Sequence, residues 1–247
     1  MSPESITPTP PPAAPAPPVP PPATHGEKGH QTPLAHHFRD LKQQHEIGSV
    51  GMWMFLATEV MFFGGVLMAF EIYHYKYEAD WLASSKLLIT WIGGVNTVVL
   101  LCSSLTMALA VHAARSGMGK RAIQTFLAAT MALGLAFLLL KSFEYCTDYR
   151  EHLVPNLDFH PQVKTEEGRP PPNVDHMSIF FSFYFTLTGI HATHMIMGLG
   201  VMAVVLRQAR RGRYGPDHYT PVDALGLYWH FVDIVWVFLF PLLYLVR

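Results

Sequence analysis

The residues that invite a chemical reading are few, and nearly all sit in apolar surroundings. In TGIHATH, His191 and His194 are three apart and share one face if the stretch is helical. Thr186, Thr188 and Thr193 add hydroxyls nearby. Further on, LYWHFVDIVWVFLFPLLYLVR carries His230 and Asp233 with the same spacing. Glu59 stands inside FLATEVMFFGGVLMAF, and Lys141 and Glu144 lie three apart just before Tyr145. An H-x-x-H pair can begin a metal site, and histidines on separate helices, such as His191 and His230, can clamp a haem. Di-iron membrane oxygenases need several more clustered histidines, however, and di-metal bundles need Glu-x-x-His repeats. The chain shows neither. Its two cysteines, Cys102 and Cys146, are too widely separated for a metal-ligand cluster. A phosphate-cradling glycine loop and a nucleophile elbow are missing too, as is the pseudo-repeat of broken helices typical of transporters. No catalytic residues and no metal ligands are therefore expected.

What remains is the chemistry of buried polar groups. An Asp at the centre of a membrane costs about 2.5–3.5 kcal/mol on insertion scales, so such groups turn toward protein or water. His230 and Asp233 read either as a satisfied polar pair locking one helix to its neighbour or as a contact used by a larger membrane complex. Glu59 reads as a protonated, hydrogen-bonded carboxyl, as a proton-handling group, or as a lipid or subunit contact. Lys141 and Glu144 form a natural local ion pair. Asn96 and Ser103, seven residues apart, read as hydrogen-bond donors to a neighbouring helix.

The elements that must position these residues follow from composition. Half of the 247 residues are hydrophobic and only 14% are charged. The apolar residues also come in blocks too long for soluble helices, which places the chain in the membrane class. A net charge of −1 leaves no basic field for nucleic acid. Five spans are predicted, at about 49–70, 87–111, 122–145, 177–206 and 223–246, each long enough to cross about 30 Å of hydrocarbon. The fourth is long enough to tilt or project. Gly64-Gly65, Gly93-Gly94, Gly189, Gly198 and Gly200 supply small residues for close helix packing.

Ahead of the spans, residues 1–32 form a Pro/Ala-rich tail expected to be disordered, with eleven prolines between residues 3 and 22. It has no secretory signal pattern, so the first span is expected to act as its own insertion signal. Residues 33–48 are amphipathic and histidine-rich, as in an interfacial segment. Lysine and arginine concentrate in the tail, the second loop and the fourth loop, ten against six on the other side. That bias places the N-terminus in the cytoplasm and the C-terminus outside. The residues at 146–176 then make the one sizeable external loop, proline-rich and acidic. Arg207, Arg210 and Arg211, at the cytoplasmic end of the fourth span, are candidates to hold anionic lipid headgroups.

Two stretches carry a resemblance. FFSFYFTLTGIHATHMIMGLG followed by LYWHFVDIVWVFLFPLLY resembles subunit III of the haem-copper oxidases, the cytochrome c and quinol oxidase family. FLATEVMFFGGVLMAF and the FEY at Phe143 to Tyr145 match as well, in the same order, so the likeness covers about 49–246. It implies an all-α integral membrane bundle of five helices, like shorter bacterial members that lack the first two of the usual seven. It also implies a non-redox accessory subunit in the bacterial cytoplasmic membrane, packed against the catalytic subunit I and holding phospholipid. Haem and copper would reside in the partner subunits. The complex would take electrons from cytochrome c or quinol, reduce O₂ to water and move protons outward, with this subunit supporting proton uptake. By motif, Glu59 matches the family's buried glutamate, with Thr58 in place of the usual Ser. Glu144 matches the glutamate before Tyr, and His191, His194, His230 and Asp233 match the signature positions. Lys141, where Gln is common, the long external loop and the proline tail depart from the pattern. The alternatives are an accessory subunit of a related nitric-oxide reductase and, from another class, an independent membrane transporter or haem-binding protein.

Overall fold

The computed structural model describes residues 41–155, 159–161, 171–215 and 219–245, with side chains from residue 48 onward. The proline-rich tail and residues 33–40 lie outside the described residues. The described chain is helical, without strands: α1 (Leu41–Lys76), α2 (Glu78–Ser85), α3 (Thr90–Arg115), α4 (Lys120–Arg150), α5 (Val174–Arg210) and α6 (Thr220–Tyr244). Among the described residues five helical stretches are long and apolar enough to cross a membrane: Gly48–Lys76, Thr90–Arg115, Lys120–Arg150, Val174–Arg210 and Thr220–Tyr244. These are the five predicted spans, with longer ends. Residues 41–47 continue directly into the first span as one helix. At 37 residues, α5 reaches about 55 Å, well beyond the hydrocarbon thickness.

The ends of the predicted 146–176 loop are helical. α4 continues to Arg150 and α5 already begins at Val174. Hydropathy falls at Cys146, but the backbone continues as helix because Asp148 is buried against the bundle rather than solvated. Asn173 caps α5, its side-chain oxygen accepting from the Asp175 amide at 2.9 Å. Ahead of α4, Gly119 has φ +90°, a left-handed conformation that favours glycine and lets α4 fold straight back along α3. α2, which hydropathy does not reveal, packs across the start of α5. There Asp80 takes the Asn173 amide at 2.9 Å and the His176 ring at 2.6 Å, and Tyr77 stacks on His176.

α3, α4, α5 and α6 pack around Trp229 and Trp236, both fully buried, while α1 lies along α6 and α5. Glycines permit the close approaches. A Cβ on Gly134 would meet the Trp229 ring at 2.9 Å, one on Gly198 Tyr228 at 3.0 Å, and one on Gly93 Phe240 at 2.8 Å. Gly93 and Gly198 were expected in this role. Gly64, Gly65, Gly189 and Gly200 were too, but nothing lies within 4 Å of their would-be Cβ atoms. The starts of α1, α4 and α6 share one end of the bundle with the ends of α3 and α5. The Arg115–Asp223 ion pair closes α3 onto α6 there.

Candidate functional site

Three of the polar sets that bridge the helices hold residues singled out in the sequence. The first joins α1 to α5. His194 Nε2 lies 3.1 Å from Glu59 Oε2, and its Nδ1 lies 2.9 Å from the Ile190 carbonyl one turn back. A carbonyl only accepts, so Nδ1 carries a hydrogen. The Nε2–Oε2 contact then holds a single proton, on the carboxyl with a neutral ring or on the ring with a carboxylate. Both side chains are largely covered, 19% and 11% exposed. Phe63 packs on the imidazole, and the Tyr228 hydroxyl donates to the His194 carbonyl at 2.9 Å, bringing in α6.

The second set joins α3 to α6. Ser104 Oγ and His230 Nδ1 share a hydrogen bond of 2.7 Å, and one position earlier the Trp229 indole N–H donates to Ser103 Oγ at 3.1 Å. Asp233 is 3% exposed, and neither carboxyl oxygen finds a hydrogen-bond partner among the described residues. His230 and Asp233 thus share a face, as their spacing predicts, without bonding each other.

The third set lies near the end of α4. Lys141 Nζ donates to Glu144 Oε2 at 3.0 Å and to the hydroxyls of Tyr244 at 2.9 Å and Tyr184 at 3.3 Å. The rings of Tyr145, Tyr184, Trp236 and Tyr244 surround the ammonium at 5.0–5.5 Å, a cation–π cage. Tyr244 donates to Glu144 Oε1, and Tyr184 reaches both Glu144 Oε1 at 3.1 Å and Asp148 Oδ2 at 3.2 Å. The i, i+3 ion pair was legible in the sequence. Asp148, Tyr184 and Tyr244 were not, although the Lys141–Glu144–Asp148 spacing of three and four is that of a single helix face.

Other expectations fare differently. His191 and His194 do not converge on one ligand. His191 is 1% exposed and packs between Phe137 and Trp236, both ring nitrogens unpartnered among the described residues. Among those residues no hydrogen bond or ring contact joins His191 to His230, and no group of three His, Cys, Asp or Glu is placed to hold a metal ion. Asn96 is buried, and among the described residues both its polar atoms are unpartnered and it makes no interhelical hydrogen bond, while Ser103 acts across the interface as an acceptor. Arg207, Arg210 and Arg211 are exposed at the end of α5.

The family model for cytochrome c oxidase subunit III matches residues 173–246, the stretch holding His191, His194, His230 and Asp233. Proteins named cytochrome c oxidase subunit 3 are similar over far more of the chain. That of Danio rerio is 31% identical over 206 residues, 78% of this chain and 67% of its own length. That of Synechocystis sp. is 31% identical over 196 residues, covering 79% and 74%. In Corynebacterium diphtheriae the figures are 30% over 204 residues, 81% of this chain and 88% of the relative.

This chain belongs to the cytochrome c oxidase subunit III family. As a subunit III chain it is an accessory component of a multi-subunit oxidase complex. Its bridges hold helices together. They form at the polar residues that the membrane would otherwise expel.

Proposed function

We infer that the chain is the non-redox subunit III of a respiratory haem-copper oxidase that reduces O₂ with electrons from cytochrome c and moves protons outward. It would stabilise the catalytic subunit I and support its proton uptake. The single observation that carries this reading is the match to bacterial subunit 3 chains over most of both lengths. In this reading haem and copper reside in partner subunits, and the chain crosses the bacterial cytoplasmic membrane with its N-terminus inside. The lysines and arginines gathered at one end of the bundle, at Arg115, Lys120, Arg121, Arg207, Arg210 and Arg211, support that orientation. Arg207, Arg210 and Arg211 would hold anionic phospholipid there. Glu59, His194 and His230 serve the reading as helix-to-helix anchors, and Glu59 with His194 also fixes one proton within the membrane.

Affinity purification of the tagged full chain from native membranes tests the assignment. The expected result is a complex with haem absorption and cytochrome c-dependent O₂ consumption. Recovery of the chain without a haem-copper core would overturn it.

A further inference from the structure

The cluster at the end of α4 contains one ammonium and two carboxyls, and all three are sealed. Lys141 is 3% exposed, Glu144 0% and Asp148 2%. The hydrogen bonds fix where most of the protons are. Lys141 has three N–H donors and three acceptors within reach: Glu144 Oε2, the Tyr244 hydroxyl and the Tyr184 hydroxyl. Both phenol oxygens therefore accept from the lysine and keep one hydrogen each to donate. Tyr244 places its hydrogen on Glu144 Oε1, its shortest contact. The Tyr184 hydrogen faces Glu144 Oε1 and Asp148 Oδ2 at nearly equal distances.

Two arrangements follow. If Asp148 is ionised and accepts from Tyr184, both carboxyls are charged and the cluster holds an uncompensated negative charge away from water, which is costly. If Asp148 carries a hydrogen and donates it to the Tyr184 oxygen, Tyr184 turns its own hydrogen to Glu144. Every donor in the network is then matched and the cluster is neutral. Among the described residues, the groups facing Asp148 give no second cation to change this count. They are Lys141 and Glu144 on its own helix, Glu151 just past its end, Tyr184 from α5 and, through Glu144, Tyr244 from α6.

We propose that Lys141, Glu144, Tyr184, Tyr244 and Asp148 form a buried proton-binding site that holds one proton beyond the lysine's own, carried on Asp148 and hydrogen-bonded through Tyr184 to Glu144. The site lies on three helices at once, so its proton also fixes how the ends of α4 and α6 meet the start of α5. It is separate from the Glu59–His194 pair, which joins α1 to α5 with different side chains.

Infrared spectroscopy of the purified oxidase complex at neutral pH tests the proposal through the carbonyl-stretch band of a protonated carboxylic acid. The parent-minus-variant spectrum for Asp148→Asn is expected to contain one such acid band, and superimposable spectra would overturn the proposal. Two further variants read the charge count with opposite signs and keep the test open if Asp148→Asn does not assemble. Glu144→Gln removes one negative charge, so Asp148 is expected to ionise and the acid band to disappear. Lys141→Met removes the positive charge, so a second acid band is expected to appear. An unchanged number of acid bands in both variants would refute the site.

Discussion

Replacing Glu59 by glutamine and by alanine separates the two proton arrangements open to the α1–α5 contact. With a neutral imidazole, His194 Nε2 accepts a hydrogen from Glu59, and a glutamine amide can supply an equivalent donor at the 3.1 Å separation. We expect this arrangement, because it avoids desolvating two charges midway along a membrane helix. Glu59→Gln should then lie within about 0.5 kcal/mol of the parent, since one net hydrogen bond of about 0.5–1.5 kcal/mol replaces another. Glu59→Ala loses the bond and strands Nε2 on a ring only 11% exposed, a penalty of about 1–3 kcal/mol. Taking about 2 kcal/mol, the folded fraction falls about thirtyfold relative to the unfolded. Denaturant titration of the detergent-solubilised complex, followed by release of this chain, measures both variants. In a His194→Phe background the alanine substitution should add little further loss. Equal destabilisation by glutamine and alanine would refute the neutral pair and indicate an ion pair. A silent alanine variant would show that the contact does not hold α1.

Three further outcomes follow from packing and charge. Gly134→Val should destabilise by about 1–3 kcal/mol through overpacking, because its Cβ would meet Trp229 at 2.9 Å, whereas Gly64→Ala should stay within about 0.5 kcal/mol. Thermal unfolding of the two variants checks the contrast. Arg207→Gln, Arg210→Gln and Arg211→Gln together should reduce co-purified anionic phospholipid, at about 1 kcal/mol per charge near the surface. Unchanged lipid by mass spectrometry would remove these residues from any headgroup site. Burial raises the Tyr214 phenol above its ordinary value, and its hydroxyl donates to Gln208 at 2.7 Å. A raised acid favours folding below the unfolded value near 10 and loses that contribution as pH climbs through the folded one. Tyr214→Phe should therefore show a smaller alkaline loss of stability, measured between neutral pH and above 10.

Much of the fold could be read along the chain because each span carries its own apolar run, and the bilayer thickness converts run length into a crossing. The contacts between helices were less accessible. Periodicity assigned Glu59, His194, Lys141 and Glu144 to helix faces, but not the relative heights of the helices, so the Glu59–His194 partnership did not emerge. Asp148 was read with an acidic loop because hydropathy falls at Cys146, whereas the phenol of Tyr184, thirty-six residues away, gives it a hydrogen-bonded place inside. Asn96 erred in the other direction, since an amide in a membrane helix suggests a partner, and none is found among the described residues. The short α2 has no membrane-length apolar run and so left no comparable signal.

One detail of the α1–α5 contact bears on how charge can move through the bundle. An imidazole conducts protons by accepting at one nitrogen while releasing from the other. The inner nitrogen of His194 is tied to the Ile190 carbonyl of its own helix, which can neither supply a proton nor pass one on. Traffic at this ring is therefore confined to the side facing Glu59. Among the described residues His194 is thus an end point for a proton rather than a relay.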